Sequence, residues 1–133
     1  HHDLWRDHRD EYSDNVAQKL EIAMAVTDAE VDEAERVRAA YRDEMAELMA
    51  GVDLVLTPTL AMVAPLAEPG EGPIRDRVLQ FTYPFNAIGA PALALPCGPA
   101  EDGLPASVQV VGRPGDDALV LAAGRLLERV LSA

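Results

Sequence analysis

The sequence predicts an α/β fold in which short strands of a mixed β-sheet are flanked by helices. Three observations carry this expectation. A capped helical period covers residues 27–50, short apolar runs at 54–56, 92–95 and 105–111 are bounded by proline and glycine, and an amphipathic segment closes the chain after residue 116. A strand-like run directly after a helix cap is the pattern of an α/β unit.

The elements follow in chain order. Leu4, Trp5, His8 and Tyr12 suit an amphipathic turn or two, and Asn15 stands where it can cap a shorter helix that buries Leu20 and Met24. Thr27 with Glu30 three residues later forms a capping box, and Gly51 occupies the place of a left-handed C-terminal cap, so one long helix is expected between them. Val31, Ala34, Val37, Tyr41, Met45 and Leu48 recur at spacings of three and four and define its inward face. Leu54-Val55-Leu56 reads as a buried strand ended by Thr57-Pro58, and residues 58–73, broken by four prolines and two glycines, read as a long loop. Ala92–Leu95 and residues 105–111 give two more strands, joined through Asp102-Gly103 as an antiparallel pair. Asp116 or Asp117 then caps a last helix whose buried stripe is Leu119, Ala122, Leu126 and Val130.

These elements are expected to form one unit over residues 1–133, with a helical acidic segment at 1–51 and the strands, loop and final helix at 52–133. The chain carries a formal net charge of −12, and 14 of its 23 acids against 6 of its 11 bases fall in the first 50 residues. One lysine and scattered arginines make no basic stripe, which argues against nucleic acid as a partner. With 49% hydrophobic residues a wholly disordered chain is excluded. Residues 78–100 are free of charge, but Pro84, Pro91, Pro96 and Pro99 forbid an unbroken membrane-spanning helix there. The single cysteine, Cys97, precludes an internal disulfide and suits a reducing, cytoplasmic location. The opening His1-His2-Asp3 in place of methionine leads to the expectation that upstream residues are missing.

Several residues invite sharper readings. Cys97 with His8 could be assembled into a nucleophile and base, but a cysteine ending an apolar strand is expected to be buried and inert. His1, His2, His8, Asp3 and Asp7 match no metal-ligand spacing, so no metal is expected. Asn86 lies inside the uncharged segment and must either tie loop backbone together or face a substrate.

The run Asp53-Leu54-Val55-Leu56-Thr57-Pro58-Thr59, then Phe81-Thr82-Tyr83-Pro84-Phe85-Asn86-Ala87-Ile88-Gly89-Ala90-Pro91, the strand Ala92–Leu95 with Pro96-Cys97-Gly98, and Gly103-Leu104-Pro105-Ala106-Ser107-Val108-Gln109-Val110-Val111-Gly112-Arg113-Pro114 resembles, in order and spacing, the C-terminal part of the amidase signature family. The resemblance covers roughly residues 53–130 and implies a piece of a large α/β fold with a mixed sheet, its N-terminal portion missing. It implies hydrolysis of carboxamide C–N bonds by a Ser, cis-Ser, Lys triad in a Gly and Ser-rich segment far upstream. Ser13, Ser107, Ser132 and Lys19 match no part of that segment, so the isolated chain is expected to be inactive. The family segment equivalent to 81–86 borders the acyl pocket, which makes Phe81, Thr82, Tyr83, Phe85 and Asn86 the candidate substrate wall; core packing is the plainer alternative for the aromatic residues.

The family's glutamine-using members, the A subunits of glutamyl-tRNA amidotransferase, carry a carboxylate just before this threonine, where the chain has Leu79. That departure favours a general amidase of small or aryl carboxamides over a glutamine-using enzyme. The expected partners are a small carboxamide substrate and the missing N-terminal portion, with no cofactor, and a homo-oligomer formed through an exposed sheet edge is a further expectation. A free-standing acidic interaction module without catalysis is the alternative from another class. The two readings part over the strand at 105–111, whose outer edge would pair with upstream sequence in the first and be covered or charged in the second.

Overall fold

The computed structural model describes residues 1–66 and 72–131. Two compact units divide the chain, residues 1–39 and 40–133, within the long helix they share.

In the first unit, α1 (His2–Asp7) leads through a 3-10 turn at Arg9–Glu11 into α2 (Asp14–Met24). Ser13, not Asn15, holds the N-cap position of α2. Asn15 falls one residue inside the helix because Ser13 already has the extended backbone that a cap requires. Trp5 and Tyr12 meet as tilted rings at a centroid distance of 5.6 Å, and the Arg9 guanidinium lies 5.0 Å over the indole while pairing with Glu21. Neither α1 nor α2 buries a residue.

α3 (Asp28–Met49) begins on the expected capping box. The Thr27 backbone N–H and hydroxyl both donate to the Glu30 carboxylate at 2.8 Å, and the Glu30 N–H donates back to Thr27 Oγ1 at 3.3 Å. Those donors hold the Glu30 carboxyl below the ordinary glutamate range, the backbone N–H contributing most. Its inward face differs from the expected one. Val31, Val37 and Leu48 are exposed, and the C-terminal stripe is Tyr41, Met45 and Met49. The spacing of four places Met49, not Leu48, in line with Tyr41 and Met45. Gly51 does not take the left-handed conformation of a cap.

In the second unit, β1 (Val55–Pro58), β2 (Ala92–Pro99) and β3 (Pro105–Val111) form a sheet of order β1-β3-β2, and both pairings are antiparallel. β3 is therefore the central strand, and among the described residues the unpaired edges belong to β1 and β2. This corrects the expectation of an open β3 edge, and it explains the apolar Val108-Gln109-Val110-Val111, which neighbours cover on both sides. β2 runs past Leu95 through two prolines because its outer edge has no ladder partner among the described residues. The register slips between Pro96 and Gly98, so Cys97 sits in a bulge and is exposed, contrary to the buried position expected for it.

α4 (Gly72–Leu79) starts inside the expected loop, whose residues 67–71 lie outside the described residues. α5 (Tyr83–Ile88) is a helix where none was expected, with Pro84 in its first turn and Gly89 closing it at φ 70°. α6 (Asp117–Leu131) closes the chain. Asp116 precedes it, accepts the Val120 N–H at its carbonyl, and pairs through its carboxylate with Arg113 Nε at 3.2 Å. The buried stripe of α6 is Val120, Ala123, Gly124 and Leu127; Leu119, Ala122, Leu126 and Val130 face outward, one residue's rotation from expectation. The helix is apolar on both stripes, so periodicity alone could not choose between them.

Alternation divides the sheet residues between two faces. Leu93 and Val110 lie on the α6 face, where Gly124 approaches Leu93 so closely that a Cβ there would stand 2.2 Å from Leu93 Cδ2. Val55 and Val111 lie on the other face, in a core with Met49, Phe85 and Ile88. The two coverings are diagonal. Leu56 on the α6 face of β1 is exposed, and so are Ala92 and Ala94 on the opposite face of β2.

Candidate functional site

The site begins at the middle of β3. Gln109 lies opposite Thr57 on β1 and Ala94 on β2, on the same face as Val55 and Val111. It is 3% exposed and is the buried polar side chain among the described residues. A buried amide needs partners, and this one has two: Nε2 donates to Thr57 Oγ1 at 2.9 Å and to the Phe81 carbonyl at 2.6 Å. The Thr57 hydroxyl in turn donates to the Pro58 carbonyl at 3.0 Å. Two residues on, Thr59 donates its N–H to the Ser107 carbonyl at 3.0 Å, and its hydroxyl is buried without a partner among the described residues.

Gln109 thereby ties the sheet to the first residue of the candidate substrate wall. Thr82 follows at the N-cap of α5, and its carbonyl accepts the Asn86 N–H at 3.3 Å. Phe85 is 8% exposed and belongs to the core with Met49, Ile88 and Val111. The five residues thus divide by depth: Phe81 and Thr82 half-buried, Phe85 in the core, Tyr83 and Asn86 exposed. Tyr83 lines a recess of about 370 Å³ with Leu79, Gln80, Arg75 and Asp76, so Leu79 presents an apolar wall beside the tyrosine.

A larger groove, about 640 Å³, opens at the far end of the sheet among Leu56, Leu60, Met62, Cys97 and Val108, and Glu101 is the one charged side chain among the described residues that line it. Among the described residues no group of three His, Cys, Asp or Glu could hold a metal. His8 Nδ1 lies 2.9 Å from Glu11 Oε1 instead. No helix among them is long and apolar enough to cross a membrane.

Sequence reasoning passed over Gln109. The signal was present, since a glutamine between two valines, on the same face as Val111 in a strand buried on both sides, must be hydrogen-bonded inside.

The chain is 30% identical over 118 residues to a fatty acid amide hydrolase of Medicago truncatula, covering 84% of this chain and 19% of that protein. It is 33% identical over 134 residues to an acylamidase of Rhodococcus erythropolis, covering 95% and 28%, and 36% identical over 104 residues to the A subunit of glutamyl-tRNA(Gln) amidotransferase from Myxococcus xanthus, covering 77% and 21%. The crystal structure of an amidase superposes on 97% of the chain with a TM-score of 0.84 at 34% identity, using 31% of its own length. The chain therefore spans 19% to 31% of the length of these proteins, and its α/β architecture is a piece of their larger fold. Residues 5–121 match the sequence model of the Amidase family, and the chain belongs to the amidase signature family.

Proposed function

We propose that this chain serves as the C-terminal part of an amidase that hydrolyses carboxamide C–N bonds, with the Ser, cis-Ser and Lys that perform the chemistry supplied by sequence upstream of His1. The observation that carries the reading is the family match over residues 5–121 in a chain whose serines, Ser13, Ser107 and Ser132, lie outside any Gly and Ser-rich stretch. Acyl transfer needs a nucleophile made reactive by a base and donors for the oxyanion. This segment contributes the wall instead. Phe81 and Thr82, held over the sheet, and Tyr83 beside Leu79 border the acyl group of the substrate, while Phe85 fixes them from behind.

Small or aryl carboxamides are the substrates we favour, because the chain has Leu79 at the position where the glutamine-using members of the family carry a carboxylate toward the α-amino group. The single cysteine suits action in the reducing cytoplasm. The 36% identity to an amidotransferase A subunit favours glutamine as the second reading. Ammonia and amine release should be measured for the longest gene product carrying residues 1–133, with benzamide, an anilide and glutamine. Turnover of the first two and not of glutamine is expected; turnover of glutamine alone would establish the second reading.

A further inference from the structure

We infer that Gln109 is a positioning residue for substrate binding: its side-chain amide anchors the front of the 81–86 wall to the central strand and so sets the depth of the acyl pocket. The inference rests on the proposed amidase reading and goes beyond it by assigning a role to a residue outside the wall.

The geometry points to an anchor in place of simple filling. Gln109 is separated from Phe81 by 28 residues in sequence, and the bond to the Phe81 carbonyl is the shorter of its two at 2.6 Å. A carbonyl only accepts, so the amide nitrogen must face Phe81, and the same nitrogen reaches Thr57 Oγ1 at 2.9 Å with its second hydrogen. One rigid NH₂ group thus joins β1, β3 and the entry to α5. The back of the segment is held by different means, since Phe85 and Ile88 lie in the core. Removing the Gln109 donor therefore frees the front while leaving the back in place. Phe81 and Thr82 should then drift relative to Val111 and Met49, which widens the pocket without touching the reacting groups.

The test uses Gln109→Met, which keeps side-chain length and neutrality but has no donor, and Thr57→Val, which removes one partner and leaves the Phe81 bond intact. In hydrogen exchange on this chain, Gln109→Met is expected to speed the backbone amides of Thr82 and Asn86, which donate to the Leu79 and Thr82 carbonyls, about tenfold, with those of β1 and β3 unchanged. Thr57→Val should leave the Thr82 and Asn86 amides as they are. In the longest gene product, Gln109→Met should raise KM for carboxamides about tenfold and hold kcat within about twofold. Uniform acceleration of all amides, or none at Thr82 and Asn86, overturns the anchor. An active enzyme whose KM is indifferent to Gln109→Met overturns this inference alone, whereas a wild-type product inactive on every carboxamide overturns the proposed function and the substrate role with it.

Discussion

Gly124→Ala is predicted to change sign with the residue it meets. Glycine in a helix interior costs about 1 kcal/mol relative to alanine, so the substitution in α6 should by itself stabilise. The new Cβ, however, would lie 2.2 Å from Leu93 Cδ2. That is roughly 1.5 Å inside ordinary carbon–carbon contact, so the end of the Leu93 side chain must move from its place between β2 and α6. Overpacking of this kind costs about 1–3 kcal/mol, so the net effect in the native background is destabilising by about 1 kcal/mol. In a Leu93→Ala background the clash is gone and the helix gain is unopposed, so the same substitution should stabilise by about 1 kcal/mol. Urea denaturation followed by circular dichroism on all four proteins gives both numbers, with a midpoint shift near 3–5 °C per kcal/mol in a thermal melt. Stabilisation by Gly124→Ala with Leu93 present, or the same shift in both backgrounds, would refute the α6–β2 packing described above.

Further outcomes follow from the same structure. Gly112→Ala brings a Cβ to 2.7 Å from Val120 Cγ2 and 3.0 Å from Asp116 Cβ with no helix gain to offset it, so it should destabilise by about 1–3 kcal/mol in the same denaturation assay. Thr27→Ala should cost about 1 kcal/mol by removing the α3 cap, read as a loss of helical signal and of midpoint. The Glu30 carboxyl is depressed in the folded state, so its contribution is present above the ordinary glutamate pKa and lost as pH falls through the lower folded value. The helical signal should therefore decline below about pH 4 in the native chain and decline less in Thr27→Ala. Cys97, exposed in the β2 bulge, should react with a thiol reagent in native buffer at a rate near that of free cysteine; protection until denaturant is added would contradict the bulge.

The sequence was most readable where local chemistry decides the structure. The Thr27–Glu30 box, the strand ending at Thr57-Pro58 and the turn at Asp102-Gly103 each carry their own signal, and the structure places them as expected, Asp102 taking a left-handed φ of 57°. What escaped was set by neighbours distant in the chain. The pairing that makes β3 central is a property of three strands together, not of Val108 or Val110. On α6 and α3 the apolar residues exceed one stripe, so which stripe is buried depends on what covers the helix. α5 was obscured because Tyr83-Pro84 reads as a breaker, although proline is favoured in a first turn. In the candidate site the proposed wall residues rest on resemblance, while Gln109, proposed to position them, was visible only as a polar residue in an apolar strand. Its two partners lie 52 and 28 residues away.

If the chemistry of this amidase resides upstream while residues 1–133 shape its acyl pocket, the two parts should differ in activity. Carboxamide hydrolysis is therefore to be measured for the isolated 133-residue chain and for the longest gene product that contains it, at equal molar concentration. Turnover is expected from the longer polypeptide, and none above a heat-treated control from the chain alone. Ammonia release by the isolated chain would contradict the upstream placement of the catalytic residues.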